Sequence, residues 1–248
     1  MEGQEKNKIF GLLGKNISYS FSKGYFLEKF QNQNIDNTVY TNFDIPTIDK
    51  VLDVFQTSNL KGLNVTIPYK ESVLDYLDDI DSTAKEIGAV NTIQIKNGKR
   101  IGYNTDVIGF KNSIQPLLKS HHKKALILGT GGASKAIEFV LNQLDIHSLF
   151  VSRKPSIDQI SYKEISKSII EHHTVIINCT PLGTFPNIEN SPNLPYQYLT
   201  TKHILFDLIY NPSETKFLQL GKQNGAVIKN GLEMLELQAE ASWEIWNY

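Results

Sequence analysis

A row of hydroxyl side chains lies early in the chain, between a short apolar segment and a stretch with helical character. Ser18, Ser20 and Ser22 alternate there with Tyr19 and Phe21. Hydroxyl groups at the start of a helix can hold a carboxylate, because the helix dipole favours negative charge at that end. Helix capping would explain a single serine at this place but not the whole row. We therefore expect this row to bind an anionic group.

A second polar segment, Asn64–Lys70 (NVTIPYK), combines an amide, a hydroxyl and an ammonium group. We expect a strand from Gly62 to Ile67 and a helix opened by Pro68, because proline suits the first position of a helix. Lys70 would then lie about one turn into that helix. A lysine by itself is ordinarily a solvated surface group, so Lys70 becomes a candidate only through its polar neighbours.

A third polar group consists of Asn91-Thr92 and Asn104-Thr105-Asp106. The run AVNTIQIKNGKRIGYN that contains most of it predicts a β-hairpin, because Asn97-Gly98 supplies the positive φ values of a type I′ turn. Asp106 precedes a helix that we expect to run through Leu118, and it could simply cap that helix. Capping and chemistry both stay open for Asp106 on this pattern alone.

A glycine-rich turn, Gly129-Thr130-Gly131-Gly132-Ala133-Ser134, follows the apolar run KALIL and precedes a helical stretch. Glycines allow the tight strand-to-helix turn and let the backbone approach a pyrophosphate, which then lies on the N–H groups of the helix N-terminus. The usual third glycine falls at Ser134, so this is a variant of the dinucleotide fingerprint. Such turns also serve packing alone, but the position between strand and helix favours nucleotide binding.

The next predicted strand indicates which dinucleotide the turn would bind. About 20 residues after the glycines, an NAD site carries an acidic residue that holds the ribose 2′-hydroxyl. Here the strand HSLFV ends in Ser152-Arg153-Lys154, without a carboxylate. Guanidinium and ammonium groups suit a 2′-phosphate. Two solvated surface charges are the plain alternative, and at this place in the motif we predict NADP.

The elements that must position these residues alternate between strand and helix patterns. We expect early strands at Lys8–Leu13 and Thr38–Phe43, and early helices at Lys23–Gln33 and Thr47–Gln56. Four later apolar strands suit a parallel sheet buried on both faces, which predicts a doubly wound α/β domain; these are KALILG, Leu149–Val151, Val175–Ile177 and Ile204–Phe206. The last segment, Gly231–Tyr248, has apolar residues at helical spacing and is expected to pack back on the first domain.

Size and composition limit the class of protein. The chain has 248 residues, of which 40% are hydrophobic and 21% charged, as in an ordinary globular protein. A net charge of −1 gives no reason to expect a nucleic-acid or membrane partner. With one cysteine, Cys179, and no signal-peptide pattern, we expect a cytoplasmic protein. The histidine pairs at 121–122 and 172–173 lack ligand spacing, so we interpret them as surface residues and expect no metal.

Nine segments together resemble the motifs of the shikimate dehydrogenase family, in the family's order: GKNISYSFSKGYF, GLNVTIPYK, GAVNTI, GYNTDVIGF, GTGGAS, SRK, INCTPLG, DLIYNP and NGLEMLELQA. The resemblance spans Gly14 to Ala239. It implies two α/β domains with a cleft between them: a substrate-binding domain at 1–104, completed by helix 231–248, and a Rossmann-like NADP-binding domain at 105–230. The implied activity is the NADPH-dependent reduction of 3-dehydroshikimate to shikimate, a step of aromatic amino-acid biosynthesis, by a monomer or homodimer.

The resemblance also implies roles for individual residues. Lys70 matches the principal acid/base and Asp106 its partner, and groups coupled so closely titrate as a pair. Ser20 and Ser22 match the serines that bind the substrate carboxylate. The groups implied to contact the rest of the substrate are Thr66, Asn91, Tyr210 and Gln238. The implied cofactor contacts are Gly129, Thr130, Gly131, Gly132, Ala133, Ser152, Arg153, Lys154, Leu208 and Gly231.

Three residues around the serines depart from the family's pattern. Asn16, Tyr19 and Lys23 stand where proline, histidine and proline are usual, which bears on how the carboxylate-binding loop is held.

Three alternatives stay open at this point. A quinate/shikimate dehydrogenase using NAD would share Lys70 and Asp106 but would more naturally carry an acidic residue near Ser152. A folate-linked dehydrogenase would have no use for Ser20 and Ser22. A non-enzymatic NADP-binding sensor would not need the lysine and aspartate together.

Overall fold

The computed structural model describes residues 7–18 and 20–248, and the chain folds as two compact α/β units. The first unit comprises the residues up to Thr105 together with Ala239–Tyr248, and the second comprises Asp106–Gln238. The resemblance described above implies a second boundary at 230/231. In the structure, the first turns of the last helix belong to the second unit.

The first unit is built on a six-stranded mixed sheet. Its strands are β1 (Lys8–Gly14), β2 (Thr38–Asp44), β3 (Leu60–Val65), β4 (Asp79–Ile80), β5 (Thr92–Lys96) and β6 (Lys99–Tyr103). Its complete helices are α1 (Phe21–Asn32), α2 (Val51–Phe55) and α3 (Ser82–Ile87). The strand order is β2-β1-β3-β5-β6-β4, with β1 parallel to β2 and β3, and with β5 antiparallel to β3 and β6.

This strand arrangement gathers the polar segments of the first unit at one edge of the sheet. The carboxyl ends of β1 and β3 meet there, together with the amino end of the antiparallel strand β5 and the carboxyl end of β6. The loops that carry the serine row, Thr66, Asn91 and Thr105 all leave the sheet at this edge.

The second unit contains an all-parallel sheet of six strands. Its strands are β7 (Lys124–Leu128), β8 (His147–Ser152), β9 (Gln159–Ser161), β10 (Val175–Asn178), β11 (Ile204–Asp207) and β12 (Val227–Lys229). Its helices are α4 (Asp106–Ile114), α5 (Gly132–Gln143), α6 (Lys167–His172), α7 (Lys216–Gln223) and the start of α8 (Leu232–Asn247).

The order of this sheet, β12-β11-β10-β7-β8-β9, reverses direction between β7 and β10. That is the doubly wound order, in which ligands bind outside the carboxyl ends of the strands at the reversal. The second unit therefore has the predicted Rossmann-like topology. Its strands are apolar because both faces of the sheet are covered: Ala125–Leu128 and Val175–Ile177 are wholly buried.

Aromatic packing holds the end of α8 on the first unit. Trp246 stacks on Phe10 with ring centroids 4.9 Å apart, and its indole N–H donates to the Ile93 carbonyl over 3.0 Å. Nearby, the buried Lys29 on α1 forms an ion pair with Glu240 on α8 at 2.6 Å. The last turns of the chain are thus part of the first unit's core.

Most predicted elements are confirmed, and the hairpin turn has φ values of 53° at Asn97 and 76° at Gly98. Three expectations are wrong in their bounds. Strand β3 ends at Val65 instead of Ile67. Residues 47–56 contain not one helix but a 3-10 helix, Ile48–Lys50, followed by the short helix α2. Helix α4 ends at Ile114, and a 3-10 turn containing Pro116 follows it, because proline cannot donate the next helical hydrogen bond.

In the described part of the chain, the helices are too short or too polar to cross a membrane.

Candidate functional site

The glycine-rich turn lies at the carboxyl end of β7, next to the point where the second sheet reverses order. Gly129 has φ +101°, a conformation that side chains rarely adopt, and a Cβ there would lie 3.0 Å from the Thr180 methyl group. Gly131 precedes α5 as its N-cap, and Ser134 closes the turn by donating its hydroxyl to the Gly131 carbonyl over 2.6 Å. The serine in place of the third glycine thus stabilises the turn from within.

The N-terminus of α5 has the features of a pyrophosphate cradle. Within the described residues, no side chain caps this helix, and its first turn carries no acidic group. Apart from Gly131 and its two chain neighbours, no described atom lies within 4 Å of the place where a Cβ on Gly131 would stand, so the approach is open. Together with Thr130, Gly132 and Ala133, the residues present fit a dinucleotide phosphate.

Ser152 is the last residue of β8, which pairs with the strand before the glycine turn, and Arg153 and Lys154 follow it directly. Arg153 and Lys154 are exposed, and the Lys154 backbone N–H donates to the Ser152 hydroxyl over 3.2 Å. Burial raises the pKa of the nearby Tyr162, and the positive charge of Arg153 opposes that shift. The two cations lie at the carboxyl end of β8, at the same edge of the sheet as the glycine-rich turn.

Leu208, Tyr210 and Gly231 lie at the same edge, after β11 and β12. A Cβ on Gly231 would overlap the Leu208 carbonyl oxygen, so only glycine permits this close approach. Burial raises the pKa of Tyr210. Gln238 is half-buried on α8, where a side chain on the facing Gly109 would come within 3.2 Å of its Cβ.

The serine row occupies the loop from β1 into α1, but Tyr19 lies outside the described residues. Ser20 is the N-cap of α1, yet its side chain makes no capping hydrogen bond, so capping does not account for it. Ser22 lies in the first turn of α1, half-buried, and forms a hydrogen bond with the hydroxyl of Tyr40.

Asp44, at the end of β2, holds the start of this loop. Its two carboxylate oxygens accept the backbone N–H groups of Asn16 and Ile17 over 2.9 and 3.2 Å. Asn42 adds a bond from its amide to the Ile17 carbonyl over 3.0 Å. Asn16 has φ +57°, a conformation that asparagine tolerates and the family's usual proline does not. Sequence reasoning missed Asp44, because only the parallel pairing of β1 with β2 brings it to the loop.

Thr66 and Lys70 lie in a turn instead of a helix, so the helix predicted to begin at Pro68 is wrong. The Tyr69 N–H bonds to the Thr66 carbonyl over 2.9 Å, and the Tyr69 hydroxyl is anchored on the Ile45 carbonyl over 2.8 Å. The Lys70 carbonyl accepts from the Val90 N–H over 2.7 Å. Tertiary bonds therefore set the direction of this segment, and a 3-10 helix begins only at Ser72.

Asn91 is buried with its carboxamide oxygen fixed by three donors. These are the Thr105 backbone N–H at 2.7 Å and the hydroxyls of Thr92 at 3.0 Å and Thr105 at 3.1 Å. Because the oxygen must face the Thr105 N–H, the carboxamide N–H₂ of Asn91 is directed away from these donors. The orientation of the Asn91 carboxamide is thereby fixed within the first unit.

Ser242 on α8 extends this hydroxyl cluster. Its hydroxyl lies 2.8 Å from that of Thr92 and 3.2 Å from that of Thr105, and it accepts the Asn64 amide over 2.9 Å. The sequence pattern did not indicate Ser242, because a single serine in a largely apolar helix is common. Only the fold brings it next to Thr92 and Thr105.

The two ionisable candidates belong to different units. Lys70 is half-buried in the first unit, in the turn whose backbone bonds to Val90. Asp106 is buried in the second unit as the first residue of α4. The structure thus brings together Ser20, Ser22, Thr66, Lys70 and Asn91 at one edge of the first sheet. It brings the glycine turn, Arg153, Leu208 and Gly231 together at the carboxyl edge of the second.

The interpretation of the histidines as surface residues is wrong for His122. Its ring is buried, accepts the Lys119 N–H over 2.8 Å and contacts the Lys202 carbonyl at 3.0 Å, so it ties two loops together. Burial lowers its pKa. Among residues 7–18 and 20–248, no group of three or more His, Cys, Asp or Glu side chains is placed to hold a metal ion.

Comparisons of sequence and of fold with known proteins all point to one family. A family model described as the shikimate dehydrogenase substrate binding domain matches residues 12–93. A shikimate dehydrogenase (NADP(+)) from Methanosphaera stadtmanae is 37% identical, over 97% of this chain and 92% of that protein. The fold is similar to a shikimate dehydrogenase solved in complex with NADP+, with TM-score 0.86, 35% identity, and 97% and 90% of the two chains covered. It is also similar to shikimate dehydrogenase 1 of Peptoclostridium difficile, with TM-score 0.83, 39% identity, and 97% and 91% covered.

Proposed function

The chain belongs to the shikimate dehydrogenase family, and we propose that it catalyses the reversible NADPH-dependent reduction of 3-dehydroshikimate to shikimate, a step of aromatic amino-acid biosynthesis. Its partners are then small molecules, the substrate and NADP. We further propose that it acts in the cytoplasm, as a monomer or homodimer, with the first unit binding the substrate and the second the cofactor.

One observation carries the cofactor half of this proposal: the open N-terminus of α5 stands beside a strand that ends in Ser152-Arg153-Lys154. The helix N-terminus and Gly129–Ala133 hold the pyrophosphate, and Arg153 with Lys154 holds the 2′-phosphate. Leu208 and Gly231 line the remainder of the cofactor site. When bound, NADPH supplies the hydride that reduces the ring ketone.

The first unit binds the substrate through hydroxyl and amide groups. Ser20 and Ser22 hold the carboxylate at the start of α1, where the helix dipole adds to their attraction. Asn91, whose carboxamide is held in place by Thr105, binds a ring hydroxyl, and Thr66 binds a second one. Gln238 and Tyr210 complete the contacts with the ring.

Lys70 and Asp106 transfer the proton in the proposed reaction. As the ketone is reduced, its oxygen gains negative charge, which the ammonium of Lys70 stabilises and then neutralises by donating a proton. Asp106 orients Lys70 and shares the proton with it. In the reverse direction the same pair removes the proton from the hydroxyl of shikimate.

The test is an assay of the purified chain with 3-dehydroshikimate and either NADPH or NADH, followed by the loss of nicotinamide absorbance. We expect turnover with NADPH and a much lower kcat/KM with NADH. 3-Dehydroquinate in place of 3-dehydroshikimate serves as the control for a quinate dehydrogenase. Turnover of 3-dehydroquinate with NADH alone would contradict the proposal.

A further inference from the structure

Asn178 and Asp207 end the neighbouring strands β10 and β11 and face each other in the ladder. Both side chains are wholly buried, and the Asn178 amide donates to one Asp207 carboxyl oxygen over 3.0 Å. The function proposed above uses neither residue. A buried carboxyl group is costly unless its hydrogen bonds are made, so the contacts of this pair indicate its purpose.

On one side, Asn178 fixes the loop that follows β10. Its carboxamide oxygen accepts both the backbone N–H and the hydroxyl of Thr180, over 3.0 and 2.6 Å. Its amide also donates to the Leu182 carbonyl over 3.3 Å, and the Leu182 N–H donates to the Thr180 hydroxyl over 3.2 Å. One side chain therefore determines the path of residues 179–182.

On the other side, Asp207 fixes the loop that follows β11. The carboxyl oxygen that binds Asn178 also accepts the Ile209 backbone N–H over 3.1 Å, and the second oxygen lies 2.5 Å from the Thr215 hydroxyl. Burial raises the pKa of Asp207 to about 7, although these hydrogen bonds oppose the shift. The pair thus spans two loops through one buried hydrogen bond.

Each of the two loops lies close to a glycine of the proposed cofactor site. The Thr180 methyl group would lie 3.0 Å from a Cβ on Gly129, and the Leu208 carbonyl lies so close to Gly231 that no Cβ would fit. A shift of either loop would therefore move the backbone on which the dinucleotide rests.

We propose that Asn178 and Asp207 are positioning residues for dinucleotide binding, which set the two loops against Gly129 and Gly231. This inference rests on the proposed use of NADP. It assigns the pair no contact with the cofactor and no part in proton transfer.

The test compares four proteins by isothermal titration with NADPH, which requires no turnover. Asp207→Ala removes the bridge and should raise the Kd for NADPH by about 10- to 100-fold, the cost of a small misplacement at a binding site. Asp207→Asn keeps the shape and the oxygen that accepts from Asn178 and Ile209, and the Thr215 hydroxyl can turn to accept from the new amide. Its Kd should therefore stay near that of the wild type. His203→Ala is the matched control, because buried His203 anchors the opposite end of β11 through Thr200 and Ile170.

An unchanged Kd for Asp207→Ala, or an equal loss in His203→Ala, would overturn the inference. If Asp207→Ala does not fold, Thr180→Val decides the question, since it breaks the loop side of the network and leaves both strand ends intact. A wild-type Kd for Thr180→Val would then refute the positioning role. Failure of the wild-type chain to bind NADPH would instead contradict the proposed function itself.

Discussion

The Lys70 carbonyl accepts a hydrogen bond from the Val90 N–H over 2.7 Å, which anchors the turn carrying the proposed acid to the segment that leads into Asn91. A second backbone bond joins the same two segments: the Val65 N–H donates to the Asn91 carbonyl over 2.7 Å. The backbone of Lys70 makes this anchor, so the bond to Val90 remains when the side chain is removed.

Lys70→Ala should therefore fold and bind both ligands, while kcat falls about 10²- to 10⁴-fold, the usual contribution of a positioned proton donor. Asp106→Asn keeps the shape without the charge and should also lower kcat. If the two residues act as one unit, the double variant should be hardly worse than the poorer single variant. Lys61→Ala, an exposed lysine earlier on β3, is the control. Multiplicative losses would show that the two residues work independently.

Ser20→Ala combined with Ser22→Ala should weaken shikimate binding, because the carboxylate loses two hydroxyl donors. The Kd for NADPH should not change. Equilibrium titration of both ligands against wild type and double variant gives the comparison. Shikimate affinity equal to that of the wild type would rule out the serines as the carboxylate site.

Arg153→Ala should raise the KM for NADPH far more than that for NADH, since only NADPH carries the 2′-phosphate that the guanidinium binds. Lys123→Ala removes an exposed cation next to β7 at the opposite edge of the same sheet and should affect neither cofactor. Equal changes for the two cofactors in Arg153→Ala would mean that Arg153 does not contact the 2′-phosphate.

Asp207 should make the stability of the protein depend on pH. Its pKa is about 7 in the folded chain against an ordinary value of 3.8, so between these values the unfolded chain releases a proton that the folded chain keeps. The free energy of unfolding then falls as the pH rises, by at most about 1.4 kcal/mol per pH unit.

Denaturant unfolding of wild type and Asp207→Asn from pH 4.5 to 8 isolates this effect. The stability of the wild type relative to the variant should decrease up to about pH 7 and then level off. A difference that does not vary with pH would show that the Asp207 pKa is ordinary.

Local patterns predicted the second unit well because its elements follow one rule. Each strand is a short apolar run, and the glycine turn and Arg153 lie at fixed places after β7 and β8. The turn at Lys70 was mispredicted because long-range bonds to Ile45 and Val90 override the preference of Pro68 for a helix start. Partners such as Asp44 and Ser242 act across strand pairs or from a distant helix, so no local pattern could reveal them.

The most direct test of the central claim follows the hydride itself. The purified chain is incubated with 3-dehydroshikimate and NADPH deuterated at the transferable C4 position, and the product is identified by mass spectrometry and NMR. The proposed reaction predicts shikimate that carries one deuterium on the carbon of the former ketone. Oxidation of NADPH without labelled shikimate, or no reaction at all, would contradict the account.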